Sequence, residues 1–151
     1  VGKARRVADL FAGCGTFTAA LSGASAVHAV ESEKKALAAL ERAVREQGPS
    51  LGLKPVTAET RDLARRPLLA SELDRFDAVV IDPPRAGASA QTEEIAKSKV
   101  PVVVSVSCNP ATFARDARML LDGGYRLDGV TPVDQFLWSP HLEVVGIFRR
   151  G

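Results

Sequence analysis

Short apolar runs alternate with stretches of helical spacing from one end of this chain to the other. Residues 6–11 form an apolar run that breaks at a glycine-rich turn, and 16–21 begin a helical pattern. A second apolar run covers 26–31. It is followed over 33–47 by a stretch rich in Ala, Leu, Glu, Lys and Arg, mostly residues that cost least in a helix. Gly48-Pro49 is expected to stop that helix. Residues 54–58 are a third strand by the same pattern. Residues 76–81 are largely apolar and end at Asp82-Pro83-Pro84, where two prolines remove ladder donors. A helix is expected over 93–97, and 100–106 is the most β-rich segment. Pro110 suits the first turn of a helix that runs to about Leu121 and closes at Gly123-Gly124. Residues 125–133 and 143–149 form the last two strands.

This alternation predicts an α/β fold, a Rossmann-like and mostly parallel sheet with helices on both faces. No helical pattern separates the last two strands, so an antiparallel pair is expected at one edge. There is no internal repeat and no second-domain linker.

Composition narrows the class without choosing a function. At 151 residues a single domain buries a real core without disulfides or metals, and no metal site is expected. Hydrophobic residues make up 46% and charged residues 25%, the profile of an ordinary globular protein. No apolar run approaches the roughly 20 residues of a membrane-spanning helix. Val1-Gly2-Lys3-Ala4-Arg5-Arg6 lacks a cleavage-site region, so no secretion signal is expected. A start at Val1 rather than Met is expected of a fragment. Two cysteines make no disulfide framework, which favours a reducing, cytoplasmic home. A net charge of +2 is too small to argue for nucleic acid by itself.

Chemistry concentrates in four loops that follow strands, where α/β sheets bind their ligands. The first is Asp9-Leu10-Phe11-Ala12-Gly13-Cys14-Gly15-Thr16. Gly13 and Gly15 let backbone approach a ligand, Asp9 places a carboxylate nearby, and Glu31 ends the next strand in position to accept ribose hydroxyls. A nicotinamide-binding turn would usually carry a third glycine where Thr18 stands, and a pyrophosphate would be repelled by Asp9. S-adenosylmethionine has a ribose, a cationic amino-acid tail and no phosphate, so an acid there favours it. The bland reading, a turn needing glycine for steric reasons, weakens once Asp9 and Glu31 are added. Cys14 reads as a small packing residue. Asp62 has two readings of equal weight: a hold on the adenine amino group, or an exposed acid starting a helix.

The second loop, Asp82-Pro83-Pro84-Arg85-Ala86-Gly87, is stiffened by its prolines and suits a residue that grips a planar ring. In the third, Ser107-Cys108-Asn109-Pro110, Cys108 stands just before a helix, whose positive end is expected to favour the thiolate. Most free cysteines are inert core residues, but this one sits where ligands bind, and nucleophile is the preferred reading. The fourth is Ser139-Pro140-His141-Leu142-Glu143. Glu143 opens an apolar strand, so its carboxylate should face the cleft, although an edge-strand charge against aggregation would look the same. His141 is a base candidate, with loop ordering the stronger reading. Phe136 and Trp138 are candidates for gripping a base or for core packing.

Taken together and in this order, the loops resemble those of the RNA 5-methyluridine (uracil-C5) methyltransferases, over almost the whole chain. The most specific segments are Asp82 to Gly87, Ser107 to Pro110, and Asp134-Gln135-Phe136 through Pro140-His141-Leu142-Glu143-Val144. The resemblance implies the class I methyltransferase sheet, with Asp9, Phe11, Gly13, Gly15, Glu31, Asp62 and Asp82 around S-adenosylmethionine. It implies that Cys108 attacks uracil C6, that Glu143 removes the C5 proton, and that Asp82 binds or activates the base. Arg85, Phe136 and His141 would then contact substrate, a transfer or ribosomal RNA. It also implies an RNA-binding domain ahead of this segment in the full-length protein. Two other functions compete. An amino-group methyltransferase would carry an aromatic residue where Arg85 stands and would not need Cys108. A cytosine-C5 enzyme would carry a Pro-Cys element on the strand-four loop, which Pro83-Pro84 lacks. The third possibility is a module that binds cofactor or RNA without turnover.

Overall fold

A computed structural model describes residues 1–134 and 142–151. Seven strands form one sheet in the order β3-β2-β1-β4-β5-β7-β6. The elements along the chain are β1 (Arg6–Leu10), α1 (Thr16–Ser22), β2 (Ala26–Glu31), α2 (Lys34–Leu51), β3 (Val56–Thr60) and α3 (Ala70–Leu73). They continue with β4 (Ala78–Ile81), α4 (Ser89–Lys97), β5 (Val102–Ser107), α5 (Pro110–Asp122), β6 (Tyr125–Val133) and β7 (Glu143–Arg150). The strands β1 to β5 pair in parallel, and β7 enters antiparallel between β5 and β6. The α/β, Rossmann-like sheet with an antiparallel pair at one edge is therefore the observed architecture.

Burial explains why the sequence folds this way. The central strands are apolar on both faces, as a sheet covered on two sides requires. On one side Leu37 and Leu40 of α2, at helical spacing with Val44, pack on Ala29 and Ala58. On the other, Ile95 of α4 with Ala117 and Leu120 of α5 meet Leu10, Val79, Val103 and Phe148. The short helix α3, absent from the sequence pattern, adds Leu73 to that second layer.

Several boundaries move. The third strand is shifted two residues onward to Val56–Thr60, and α4 begins at Ser89 rather than near residue 93. Gly48-Pro49 does not stop α2, which runs on to Leu51. A proline near a helix end removes one hydrogen bond but need not terminate the helix. The stop comes at Gly52, in the left-handed region at φ 62°, where Leu53 N–H donates to Gly48 O at 3.1 Å and Gly52 N–H to Pro49 O at 3.3 Å. That pair of bonds caps the last carbonyls and needs the glycine one step past the helix.

The two glycines should consequently respond with opposite sign. Gly52→Ala forces a side chain into the left-handed region and should cost about 1–2 kcal/mol. Gly48→Ala adds a methyl 3.8 Å from Val44 and Leu53 in a helix interior and should gain up to about 1 kcal/mol. Chemical denaturation of the two variants reads both, and a destabilised Gly48→Ala beside a neutral Gly52→Ala would return the helix end to residue 48.

Candidate active site

The order of the strands reverses at β1, whose neighbours are β2 and β4, and crossovers run outward in both directions from there. A crevice opens at the carboxyl ends of strands at such a switch point. Here it is a cleft of about 330 Å³ lined by Phe11, Glu31, Ser32, Asp62, Ala64, Asp82 and Pro84. Four residues singled out in the sequence from four separate segments thus share one wall.

The glycine-rich turn is built tightly. Phe11 adopts φ 61°, rare for a bulky residue, and Gly13 and Gly15 also have positive φ. A methyl on Gly15 would stand 2.4 Å from Leu40 Cδ1, so close packing against α2 as well as conformation demands glycine there. Glu31 holds the turn from the next strand. Its Oε2 accepts from Gly13 N–H at 2.9 Å, and its Oε1 accepts from Ser32 N–H at 2.6 Å and Glu33 N–H at 2.8 Å. Burial works to raise its pKa, but these backbone donors together with Ser32 hold the carboxyl below its usual range. Oε2 keeps lone-pair capacity on the cleft side.

Asp9, which opens the glycine-rich loop, is wholly buried. Thr18 explains the missing third glycine: its hydroxyl donates to Asp9 Oδ2 at 2.5 Å. Oδ1 is buried without a partner among the described residues. Burial, opposed by the Thr18 bonds and reinforced by the Asp82 charge, raises its pKa from 3.8 to about 6. Thr18 was read only as a departure from a glycine pattern, and its place nine residues after a buried acid, across the loop, carried no signal of its own. Asp62 lines the cleft, and its Oδ1 accepts from Ala64 N–H at 3.0 Å to start a turn rather than the helix that one of its readings expected.

Cys108 sits half-buried between the end of β5 and the cap of α5. Asn109 caps that helix, its Oδ1 accepting from Ala111 N–H at 3.0 Å with Pro110 in the first turn. Ser107 Oγ accepts from Asn109 N–H at 3.2 Å and so braces the backbone on both sides of the cysteine. The same asparagine reaches the Asp82 loop, donating through Nδ2 to Arg85 O at 3.2 Å, and Thr112 Oγ1 donates to that carbonyl at 3.3 Å. Further along α5, Arg115 donates to Ala86 O at 3.1 Å and Asp116 Oδ2 accepts from Ala88 N–H at 2.8 Å. Gly87, at φ 78°, passes so close that a methyl would meet both side chains. Sequence reasoning missed Arg115 and Asp116; an acid adjoining the buried face of a helix was the available signal.

Glu143 opens β7, and Val144 beside it pairs with Ser107. Antiparallel entry therefore brings the start of β7 to the edge where β5 ends. Asp82 registers the proximity: burial first, and the Glu143 charge second, raise its pKa. Cys14, by contrast, is exposed on the far side of the glycine turn, where it lines a separate apolar depression with Leu40 and Leu53. Phe136, Trp138 and His141 lie outside the described residues. Among the described residues no cluster suits a metal ion, and no helix is long and apolar enough to cross a membrane.

Known proteins share this sequence pattern and this fold. The family model described as tRNA (Uracil-5-)-methyltransferase matches residues 2–150. An uncharacterized RNA methyltransferase of Caulobacter vibrioides is 60% identical over 97% of this chain and 35% of its own length. The 23S rRNA (uracil(1939)-C(5))-methyltransferase of Chromohalobacter salexigens is 39% identical over 96% of this chain and 29% of its own. Among solved structures, the Pyrococcus abyssi tRNA (uracil-54, C5)-methyltransferase in complex with S-adenosyl-L-homocysteine superposes with a TM-score of 0.80. It is 31% identical, covering 95% of this chain and 34% of that one. The chain spans about a third of the length of the curated relatives it matches.

The buried acid generates a pH prediction. A carboxyl whose folded pKa lies near 6, above its unfolded value of 3.8, binds protons more tightly in the native state. Its contribution to stability is then present below about pH 4 and is lost as pH rises through about 6. Asp9→Asn should match the parent at pH 4 and exceed it at pH 7.5, by on the order of 3 kcal/mol. Urea denaturation at both pH values checks this, and equal stability gaps at the two would contradict it.

Proposed function

This chain belongs to the tRNA (uracil-5-)-methyltransferase family, and on that premise we propose that residues 1–151 form the catalytic domain of an S-adenosylmethionine-dependent RNA uracil-C5 methyltransferase. The observation that carries the reading is the convergence of Cys108, Asp82 and Glu143 on the carboxyl edge of the sheet, beside the cleft lined by Phe11, Glu31 and Asp62. RNA, transfer or ribosomal, is the proposed substrate. The further chain that the relatives carry is proposed to hold the RNA-binding domain, and the cytoplasm is the proposed compartment.

The donor set fits the cofactor. Glu31 would take the ribose hydroxyls through its remaining acceptor capacity, Asp62 the adenine amino group, and Phe11 the apolar face of the ring. Gly13 and Gly15 shape the turn around the amino-acid tail, and the orphaned Asp9 Oδ1 supplies an unmet acceptor beneath it. When bound, S-adenosylmethionine supplies an electrophilic methyl group.

The chain's own residues would do the rest. Uracil C5 is a weak nucleophile until a thiolate adds to C6, which places electron density on C5 and O4. Cys108 is proposed to form that bond. Asp82, with its pKa raised, is suited to hydrogen-bond the ring on the edge that gathers charge. After the methyl group is on C5, the C5 proton must leave before the Cys108 sulfur can be eliminated, and Glu143 is proposed to take it. Arg85 is proposed to contact the RNA, and Phe136 and His141 to hold the flipped base. An amino-group transfer would leave Cys108 without a task, which is why it ranks behind.

Two experiments follow. Glu31→Ala should weaken S-adenosylmethionine binding by tenfold or more, about 1.5–3 kcal/mol for a charged hydrogen-bonding group, as read by calorimetry. Unchanged affinity would remove Glu31 from the cofactor site. In the full-length protein, Cys108→Ala should abolish both methylation and any covalent adduct with 5-fluorouridine RNA. Glu143→Gln should instead accumulate a denaturation-resistant, methylated protein–RNA complex while releasing little product. Normal turnover by Glu143→Gln, or adducts formed by Cys108→Ala, would refute the division of labour.

A further inference from the structure

The net charge hides a sorting of charges by edge. Residues that follow parallel strands reach the carboxyl edge, and the acids Glu31, Asp62 and Asp82 lie there, with Glu143 opposite the end of β5. Residues that precede the strands reach the amino edge, and these are cationic. Lys3, Arg5 and Arg6 lead into or open β1, Lys54 leads into β3, Arg75 into β4 and Lys99 into β5. All six are exposed.

Hydrogen bonds lock this row together. Asp77 Oδ2 accepts from Arg5 N–H and Arg6 N–H at 2.8 Å each, and Asp74 Oδ1 accepts from Lys99 N–H at 2.7 Å. The two acids are thus bonded to backbone, and the Asp77 charge also faces the Arg5 and Arg6 side chains without a salt bridge. Among the described residues none of the six side chains makes a salt bridge, whereas Arg126 and Arg149 nearby are both paired with Asp128. Within the row lies a cleft of about 390 Å³, lined by Arg6, Arg75, His28 and Thr57 over an apolar floor that includes Val27 and Phe76. The Arg75 guanidinium lies 4.8 Å from the Phe76 ring centroid, over the cleft floor, and feels the Glu72 charge without forming a salt bridge.

A row of exposed cations without salt bridges, about 20 Å long from β3 to β5 at the usual strand spacing, matches a polyanion rather than a single phosphate. We propose that the amino edge of the sheet is a second RNA-contact surface, which holds backbone phosphates of the substrate away from the target nucleotide. This rests on the reading that the substrate is RNA, and it adds a surface on the edge opposite the chemistry. Cations that form no salt bridge lose little on meeting phosphate, since no directly bonded partner must be displaced. Each phosphate neutralised releases counterions and steepens the salt dependence of binding. Lys54 and Lys99 at the two ends, with Arg5 between, mark the span.

The test compares two triple variants with the parent chain in salt titrations against a labelled single-stranded uridine-containing RNA. Arg5→Gln/Lys54→Gln/Lys99→Gln removes the edge. Lys35→Gln/Arg42→Gln/Arg45→Gln removes the same charge from the exposed side of α2. The edge triple should flatten the slope of log affinity against log salt by about 2, at about 0.7 per phosphate on a single strand, while the α2 triple leaves it near the parent value. Equal slopes in both triples, or no RNA binding by the parent chain, would overturn the surface. So would loss of polyglutamate binding with RNA binding intact, which would mark an acidic protein as the partner instead. Trapping at Cys108 with 5-fluorouridine RNA in the full-length protein separates the two readings. A flattened slope in the edge triple without any Cys108 adduct in the parent would sink the uracil chemistry and leave the RNA surface standing.

Discussion

The parallel pairing of β1, β2, β4 and β5 is the constraint from which the site follows. Residues Leu10, Ile81 and Ser105 lie on one hydrogen-bonded line through β1, β4 and β5, so the loops that follow these strands must emerge side by side. No loop needs to find another by its own chemistry; the ladder delivers them. The antiparallel insertion of β7 completes the set in the opposite way, since it brings the beginning of a strand, and Glu143 with it, to the edge where the others end. A parallel β7 would send Glu143 to the far side of the sheet.

On this frame the loops are made stiff by bonds between neighbours. Asn109 caps α5 and at the same time donates to the Arg85 carbonyl, which Thr112 also meets, so the backbone bearing Cys108 and the loop bearing Asp82 are fixed to one another. Arg115 and Asp116 repeat the connection about two turns further along. Holding reactive groups in place before substrate arrives spares the reaction the entropy of assembling them. Asp9 shows the opposite side of the same economy. A carboxylate buried with one oxygen unpartnered opposes folding near neutral pH.

Strand direction also sorts charge. In a parallel sheet a residue's place before or after a strand decides which edge it reaches, and here bases tend to precede strands while acids follow them. The chain's small net charge is the sum over two edges of different character. An acidic edge suits a cationic cofactor, and a basic edge on the other side keeps a polyanion attracted to the domain as a whole.

The local elements were legible in the residues. Leu37, Leu40 and Val44 announce α2 by their spacing, the β-branched run before Ser107 announces β5, and Asn109-Pro110 announces the start of α5. The strand-end motifs were legible too, because loop chemistry is written in consecutive residues: Asp82-Pro83-Pro84-Arg85 and Ser107-Cys108-Asn109-Pro110 stand out without any partner in view. What the sequence could not decide was anything that depends on residues far apart in the chain. It left the end of α2 at Gly48, because whether a proline is tolerated depends on the capping bonds beyond it. It left the burial of Asp9 unseen, because that burial and the Thr18 bond arise only when α1 folds back over β1. It left the charge uninformative, because a net value carries no positions. Sequence by itself thus determined the elements and the chemistry each loop can carry, since those are set by neighbours along the chain. Tertiary structure alone decided which groups face one another and which are buried, because pairing register and packing bring together residues the chain keeps apart.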